Sequence, residues 1–212
     1  MKICIGGIEN NKIVKNIFIS GSKSESNRLL ILQKLFDGIN ITNLSDSDDT
    51  HHLQHALSSN EAIINIGHAG TAMRFLTSYF ALKDGREVIL TGSERMQNRP
   101  IQILVNALKD LGATISYEAK EGYPPIRIKG TKITKDKVQI NGNVSSQYIS
   151  SLLLIASKLE NGLEIELIGK ITSIPYINMT LSLMNQLGIE TVFVNQIIKV
   201  KPLKQSKKQS VV

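Results

Sequence analysis

Three short stretches of the sequence combine glycine with hydroxyl-bearing residues, and each leads directly into an apolar segment of helical length. They are Gly21-Ser22-Lys23-Ser24, Gly67-His68-Ala69-Gly70-Thr71 and Gly142-Asn143-Val144-Ser145-Ser146. A helix that begins in this way presents free backbone N–H groups, hydroxyl donors and the positive end of its dipole. Three such starts at matched positions predict one site that binds a ligand with several acidic groups.

Positive side chains accompany the first of these helix starts. Lys23 and Ser24 lie at the start itself, and Arg28 follows one helical turn later, where it can share their face. Two cations at a helix N-terminus destabilise the helix unless an anion binds there. We therefore interpret Lys23 and Arg28 as anion-binding residues, with a solvent-exposed basic turn as the alternative.

The second helix start carries arginines in a similar way. Arg74 lies one turn beyond Gly70 and Thr71 in an otherwise apolar helix, so it needs a partner, which is either a ligand or a structural acid. Arg99 precedes Pro100, where the next helix is expected to begin, and its planar fork suits a carboxylate or a phosphate.

The third helix start offers hydrogen-bond donors without charge. Ser145, Ser146 and Gln147 supply hydroxyl and amide groups, which suit a neutral polyol or a phosphate ester. Ser173 and Tyr176 flank a proline at the start of the last helix and are expected to act in the same way. Simple capping of that helix by Ser173 is the alternative.

Metal and nucleophilic chemistry have weaker support in the sequence. His51 and His55 have a spacing that could hold a metal, but only Asp48 or Asp49 is near enough in sequence to be a third ligand. These aspartates fit the first turn of a helix better, so no metal is expected. The sequence shows no Ser-His-Asp set and no paired carboxylates beside the three helix starts, so part of a catalytic apparatus is absent from it.

The three stretches belong to a repeated pattern of elements. Each is followed by an apolar helix, a glycine, a strand and a second helix; the first helices are 24–36, 71–82 and 145–159, and the second are 49–57, 100–111 and 175–187. A fixed repeat of this kind indicates stacked supersecondary units. The first helices are apolar nearly all round, which is typical of buried helices. We predict a layered α/β (α+β) fold with three βαβαββ-type units, buried parallel helices that share one N-terminal end, and sheets outside.

Composition sets limits on the function. The chain has 212 residues, 42% hydrophobic content and one cysteine, Cys4, which excludes a disulfide framework and a cysteine-based zinc site. Neither a signal-peptide core nor an apolar run of about 20 residues is present, so a cytoplasmic protein without membrane association is expected.

The net charge of +7 comes largely from the C-terminal region. Without the five lysines that follow position 190, the net charge would fall to +2. Few aromatic residues and no tryptophan argue against base stacking, so we expect no nucleic-acid partner and interpret these lysines as a solvated tail. A basic nucleic-acid binder that uses this tail is the alternative. Residues 192–194 and 197–200 are predicted to form a hairpin before it.

Six ordered motifs resemble those of one family, the enolpyruvylshikimate-phosphate synthases (3-phosphoshikimate 1-carboxyvinyltransferases). They are Gly21-Ser22-Lys23-Ser24-Glu25-Ser26-Asn27-Arg28, Asn43-Leu44-Ser45-Asp46-Ser47-Asp48-Asp49, Gly70-Thr71-Ala72-Met73-Arg74, Leu90-Thr91-Gly92 through Arg99-Pro100-Ile101, Val144-Ser145-Ser146-Gln147 and Ser173-Ile174-Pro175-Tyr176-Ile177. The resemblance covers essentially the whole chain. It is closer than the similarity to the UDP-N-acetylglucosamine enolpyruvyl transferases, which have Lys-Asn where this chain has Lys23-Ser24.

The resemblance implies an enolpyruvyl-transferase fold and a reaction. Phosphoenolpyruvate donates its enolpyruvyl group to the 5-hydroxyl of shikimate-3-phosphate in aromatic amino-acid and chorismate biosynthesis, without a cofactor, and glyphosate inhibits the reaction. It further implies that Lys23 is catalytic and touches both substrates. Shikimate-3-phosphate would contact Lys23, Ser24, Arg28, Ser145, Ser146, Gln147, Ser173 and Tyr176. Phosphoenolpyruvate would contact Lys23, Gly70, Thr71, Arg99 and Gln147, with support from Arg74 and His68.

The chain also departs from the family pattern. His68 stands where asparagine is usual and Phe75 where proline is frequent, so the response to glyphosate stays open. Family members are considerably longer, which implies that residues 13–200 form an N-terminal substrate-binding domain. Residues 1–12 would belong with an absent second domain and 201–212 would form a basic crossover or tail. The resemblance thus implies a monomeric half-enzyme, inactive without its C-terminal domain. A non-catalytic module that binds a phosphorylated metabolite is the alternative.

Overall fold

The computed structural model describes residues 18–203 and 209–211, and the predictions for residues 1–12 and for most of the tail lie outside these ranges. The first unit contains α1 (Lys23–Leu35), β1 (Ile39–Ile41) and α2 (Asp48–Ser58). Its helix α1 begins because Ser22 caps it: the Ser22 side chain accepts a hydrogen bond from the Glu25 N–H. The strand β1 ends at Ile41, and Asn43 adopts a left-handed conformation.

The second and third units repeat one order of elements, except that the second contains one additional short helix. The second has β2 (Ile63–Asn65), α3 (Gly70–Ala81), β3 (Glu87–Thr91), α4 (Glu94–Gln97), α5 (Gln102–Leu111), β4 (Thr114–Tyr117) and β5 (Ile126–Lys129). The third has β6 (Lys137–Asn141), α6 (Ser146–Ala156), β7 (Leu163–Ile168), α7 (Ile174–Gln186), β8 (Thr191–Val194) and β9 (Ile197–Val200). A last strand, β10 (Gln209–Val211), pairs in parallel with β1.

The two complete units fold into sheets of identical topology. Their strand orders are β2-β3-β5-β4 and β6-β7-β9-β8. In each sheet the first pair is parallel, because a buried helix connects the two strands, and the remaining pairs are antiparallel. The predicted repeat and the predicted hairpin at the end of the third unit are therefore confirmed.

The first helix of each unit is buried, as its apolar sequence predicts. Every residue of α3 except Thr71 and every residue of α6 except Gln147 is buried, and α1 is buried from Ser26 to Leu32. These helices share the hydrophobic core with the strands and the second helices, which supply most of its other residues. None of the helices in the described part of the chain is long and apolar enough to cross a membrane.

Contacts at both ends show that the three buried helices run parallel. At the N-terminal end, the side chain of Gln147 at the start of α6 donates a hydrogen bond to Thr71 at the start of α3, at 3.2 Å. At the C-terminal end, a cleft of about 370 Å³ is bounded by Leu35, Leu82 and Leu159, which follow or end α1, α3 and α6. The prediction that the helix N-termini share one end of the fold is confirmed.

Two predictions about helix ends are wrong. The second helix of the middle unit begins at Gln102, so Pro100 lies outside its first turn and Arg99 does not directly precede it. The reason is a separate short helix, α4, which Ser93 caps by accepting a hydrogen bond from the Met96 N–H. Likewise α6 ends at Ala156, three residues before the predicted end.

Small polar residues let α3 and α6 pack closely, which gives a first testable prediction. The Ser151 hydroxyl contacts the Ser78 hydroxyl at 2.6 Å and donates to the Arg74 carbonyl at 2.6 Å, and both serines are fully buried. We expect Ser151→Ala to lower the free energy of unfolding by about 1 kcal/mol, because the Ser78 hydroxyl loses its partner.

Urea denaturation measures this effect, and Ser58→Ala is the matched control. Ser58 is exposed and its hydroxyl bonds only to carbonyls of its own helix, so its loss is expected to change the free energy of unfolding by less than about 0.5 kcal/mol. Equal effects of the two substitutions would contradict the assigned role of the Ser78–Ser151 pair.

Candidate functional site

The N-terminal ends of α1, α2, α3 and α6 are linked side by side. Lys23 at the start of α1 lies 3.7 Å from the Asp49 carboxylate in α2, and the neighbouring Asp48 lies 4.0 Å from the His68 ring just before α3. The Gln147–Thr71 hydrogen bond then joins α6 to α3. Residues that are far apart in sequence thus surround one end of the helix bundle.

Arg28 lies in the core and joins α1 to α6 and α7. It is 2% exposed, and its guanidinium donates to Thr180 Oγ1 in α7 at 2.7 Å, to Ser150 Oγ in α6 at 3.0 Å and to the Ser24 carbonyl at 2.7 Å. All three acceptors are uncharged. Burial therefore lowers the pKa of Arg28 to about 10, against the opposing influence of Tyr176 and Glu25.

Arg99 lies directly over the start of α3. A Cβ atom at Gly70 would lie 2.9 Å from Arg99 Cζ and 3.0 Å from Nη2, so only glycine leaves room for the guanidinium there. Arg99 itself is exposed. A cation over the positive end of a helix is unfavourable by itself, and a bound anion would relieve the repulsion.

Arg74 is buried and hydrogen-bonds both to the start of α3 and to the residue that follows Arg99. It is 4% exposed, and its guanidinium donates to the Gly70 carbonyl at 3.0 Å and to the Pro100 carbonyl at 3.2 Å. Burial lowers the pKa of Arg74, the Tyr148 side chain raises it, and the charge of Arg99 lowers it further. The alternative of a structural acid as the partner of Arg74 is wrong, because its partners are two backbone carbonyl groups and the Met96 sulfur.

The uncharged donors at α6 and α7 are mostly exposed, and Ser146 is the buried exception. Ser145 is exposed, and its hydroxyl accepts only a long 3.4 Å hydrogen bond from the Gln147 N–H, while Ser146 is 7% exposed. Ser173 is exposed and left-handed, with φ of 57°, and its side chain makes no capping bond. The capping alternative for Ser173 is therefore wrong. Tyr176 is 47% exposed.

The site consists of neighbouring helix ends whose side chains are largely exposed. A cleft of about 570 Å³ runs along the flank of α1, and the 370 Å³ cleft lies at the opposite end of the bundle. Neither cleft is lined by Lys23, Gly70, Arg99 or Ser145. We therefore define the site by its convergent side chains.

Metal and nucleic-acid ligands have little support within residues 18–203 and 209–211. There, no cluster of three or more His, Cys, Asp or Glu residues could hold a metal ion, and Asp48 and Asp49 occupy the first turn of α2 as predicted. Two of the lysines near the C-terminus are paired: Lys199 with Glu164 at 2.7 Å, and Lys201 with Glu190.

Sequence reasoning missed three members of the site. Tyr148 donates its hydroxyl to the Pro100 carbonyl, while Ser150 and Thr180 accept from Arg28. In the sequence these residues differ from their neighbours only because they are polar side chains within largely apolar helices. A buried polar side chain needs a partner, which is the one signal that could have pointed to them.

Solved structures match this fold. The chain aligns with the EPSP synthase of Acinetobacter baumannii with a TM-score of 0.74, over 92% of this chain and 49% of that one, at 17% identity. At that identity the likeness concerns the fold, which is the enolpyruvyl-transferase fold that the resemblance implied.

Sequence comparison identifies the family. The family model for EPSP synthase (3-phosphoshikimate 1-carboxyvinyltransferase) matches residues 54–212. A relative from Bacteroides fragilis, named 3-phosphoshikimate 1-carboxyvinyltransferase, is 52% identical over 179 residues, which are 84% of this chain and 43% of the relative. The relative of the same name from Pasteurella multocida is 42% identical, over 81% of this chain and 46% of its own length. The chain belongs to the EPSP synthase family, and it spans a little under half the length of these curated relatives.

Proposed function

We propose that the chain binds shikimate-3-phosphate and phosphoenolpyruvate at the shared N-terminal end of its helices, as the substrate-binding half of a 3-phosphoshikimate 1-carboxyvinyltransferase. The observation that carries the proposal is the position of Lys23 and Arg99 at the starts of α1 and α3. Each cation lies at the positive end of a helix, where it is tolerated best with an anion bound. Both substrates are polyanions, so one surface of this kind suits both.

We assign the shikimate-3-phosphate subsite to α1, α6 and α7. The phosphate would be held by the Ser145 and Ser146 hydroxyls at the start of α6, with Ser173 beside it. The ring hydroxyls and carboxylate would meet Ser24, Gln147 and Tyr176. Arg28 is too buried to contact the ligand directly. We propose that it holds the residues of this subsite in place through its hydrogen bonds to Ser24, Ser150 and Thr180.

We assign the phosphoenolpyruvate subsite to the start of α3. Backbone N–H groups at Gly70 and Thr71 and the guanidinium of Arg99 would hold its phosphate or carboxylate. His68, which is exposed beside Asp48, lies at the edge of this subsite. Lys23 would contact both substrates. In the complete reaction the 5-hydroxyl would add to phosphoenolpyruvate, and the charge of Lys23 would stabilise the resulting tetrahedral intermediate until inorganic phosphate leaves.

Titration of the chain with shikimate-3-phosphate, followed by amide NMR, tests the proposal. We expect millimolar ligand to shift the signals of Ser145, Ser146 and Ser24, and to leave those of Lys83 and Glu160 at the opposite end of the bundle unchanged. Unmoved signals at Ser145 and Ser146 would refute it. Shikimate without phosphate is the matched control and is expected to bind at least tenfold more weakly, since it cannot use the α6 donors.

Catalysis by the half-enzyme is expected to require acid–base residues from a second domain. Apart from Asp48 and Asp49, the described residues at the site contribute no pair of carboxylates for acid–base work, so the chain alone is expected to turn over negligibly. The same observation favours a second candidate, a non-catalytic phosphometabolite-binding module. Adding the separately expressed C-terminal half of the Bacteroides fragilis relative distinguishes them: restored phosphate release supports the half-enzyme, and binding without restored turnover supports the module. A cytoplasmic location, a monomeric state and a role as a glyphosate target, with its sensitivity left open by His68 and Phe75, also belong to the half-enzyme proposal.

A further inference from the structure

Two side chains from different helices hold one backbone carbonyl, that of Pro100. The Tyr148 hydroxyl, from the first turn of α6, donates to it at 2.7 Å, and Arg74 Nη2, from α3, donates to it at 3.2 Å. The two donors also contact each other, because the Arg74 guanidinium lies 5.7 Å from the centre of the Tyr148 ring. Tyr148 is 6% exposed, so its hydroxyl depends on this acceptor.

The carbonyl that they hold directly follows Arg99. Its neighbours are also fixed: the Arg99 N–H donates to the Met96 carbonyl at 3.0 Å, and the Ile101 N–H donates to the Gly122 carbonyl at 2.9 Å. This short segment joins α4 to α5 and belongs to neither helix. Its backbone conformation, and hence the direction of the Arg99 side chain over Gly70, depends on these bonds.

We propose that Tyr148 is a positioning residue for Arg99, acting with Arg74 through the Pro100 carbonyl. Arg74 completes the link, since its other nitrogen donates to the Gly70 carbonyl at 3.0 Å and so ties the start of α3 to the same segment. The inference deepens the proposed function, because it concerns the subsite assigned to phosphoenolpyruvate. Tyr148 is buried, so we expect it to act through the Pro100 carbonyl and not by contact with a ligand.

Tyr148→Phe tests the proposal, with Tyr79→Phe as the matched control. Tyr79 is another core tyrosine, 4% exposed, near the opposite end of α3. The first measurement is the Nε–Hε NMR signal of Arg99 in the free chain, assigned by its loss in Arg99→Lys. We expect Tyr148→Phe to shift this signal and to reduce its heteronuclear NOE, because the segment loses one of its fixing bonds. Tyr79→Phe is expected to leave it unchanged.

The second measurement is affinity by calorimetry. We expect Tyr148→Phe to weaken phosphoenolpyruvate binding about fivefold, the loss typical of one hydrogen bond, and to leave shikimate-3-phosphate binding within about twofold. An unchanged Arg99 signal would overturn the inference, and so would an equal loss of affinity for both ligands, which would indicate general loosening. If the unmodified chain binds neither ligand, the proposed function fails, while the Arg99 signal still decides the positioning role.

Discussion

Gly70→Ala is expected to weaken phosphoenolpyruvate binding about thirtyfold and to leave the fold intact. The new methyl group would overlap the Arg99 guanidinium, whose Cζ and Nη2 lie 2.9 and 3.0 Å from the Cβ position. The atoms that must move are the far end of a flexible side chain, so the protein accommodates the methyl by displacing Arg99. Alanine also favours a helix more than glycine does. The expected loss is a charge-assisted contact of about 2 kcal/mol.

A double-mutant cycle with Arg99→Ala identifies the cause. If Gly70→Ala acts through Arg99, the double variant binds phosphoenolpyruvate no more weakly than Arg99→Ala alone. Calorimetry measures the affinities, and thermal denaturation checks that the melting temperature of Gly70→Ala is not lowered. Additive losses would show that the methyl group obstructs the ligand itself. Undiminished affinity of Gly70→Ala would contradict the assignment of Arg99 to the site.

Arg28→Ala is expected to lower the free energy of unfolding by about 3 kcal/mol. The substitution removes a buried side chain that joins α1 to α6 and α7 and lies against the Phe75 ring, 5.5 Å from its centre. The cost arises from the cavity, as for other large buried side chains replaced by alanine. Thr180 and Ser150 keep a hydrogen bond to each other at 2.9 Å, which limits further loss.

Arg28→Met separates packing from charge. Methionine retains much of the volume and removes a cation whose three acceptors are uncharged, so we expect a loss of about 1 kcal/mol or less. Both free energies come from urea denaturation. A stable Arg28→Met variant also permits a binding measurement: weaker binding of shikimate-3-phosphate would support the role of Arg28 beneath that subsite. Equal destabilisation by alanine and methionine would contradict the cavity explanation.

The sequence predicts the helices and sheets well where one physical signal dominates. The run from Leu152 to Ala156 is apolar on every face, so burial of α6 follows from composition alone. Repetition of the same element order then predicts that the buried helices share a direction. The short helix α4 was missed because Ser93 caps only four residues, too few for a periodic pattern. Because α4 is not recognisable in the sequence, the start of α5 at Gln102 is not recognisable either, and the sequence places it at Pro100.

The sequence predicts the site residues by type, but not which of them reach the surface. The same sequence argument selects four cations, Lys23, Arg28, Arg74 and Arg99. Of these, Arg28 and Arg74 are buried, whereas Lys23 and Arg99 are exposed. The difference depends on how α7 packs against α1 and how the segment before α5 packs against α3, and these contacts link positions 152 and 26 residues apart in the chain. Local pattern carries no information on such pairs. For the same reason Tyr148 could not be recognised as the partner of Pro100.

A crystal structure of the chain grown with shikimate-3-phosphate tests the central claim most directly. We expect the phosphate group within hydrogen-bonding distance, about 3 Å, of the Ser145 and Ser146 hydroxyls, with the rest of the ligand turned toward Lys23. Density for the ligand at the opposite end of the helices, in the cleft lined by Lys83 and Lys158, would contradict it.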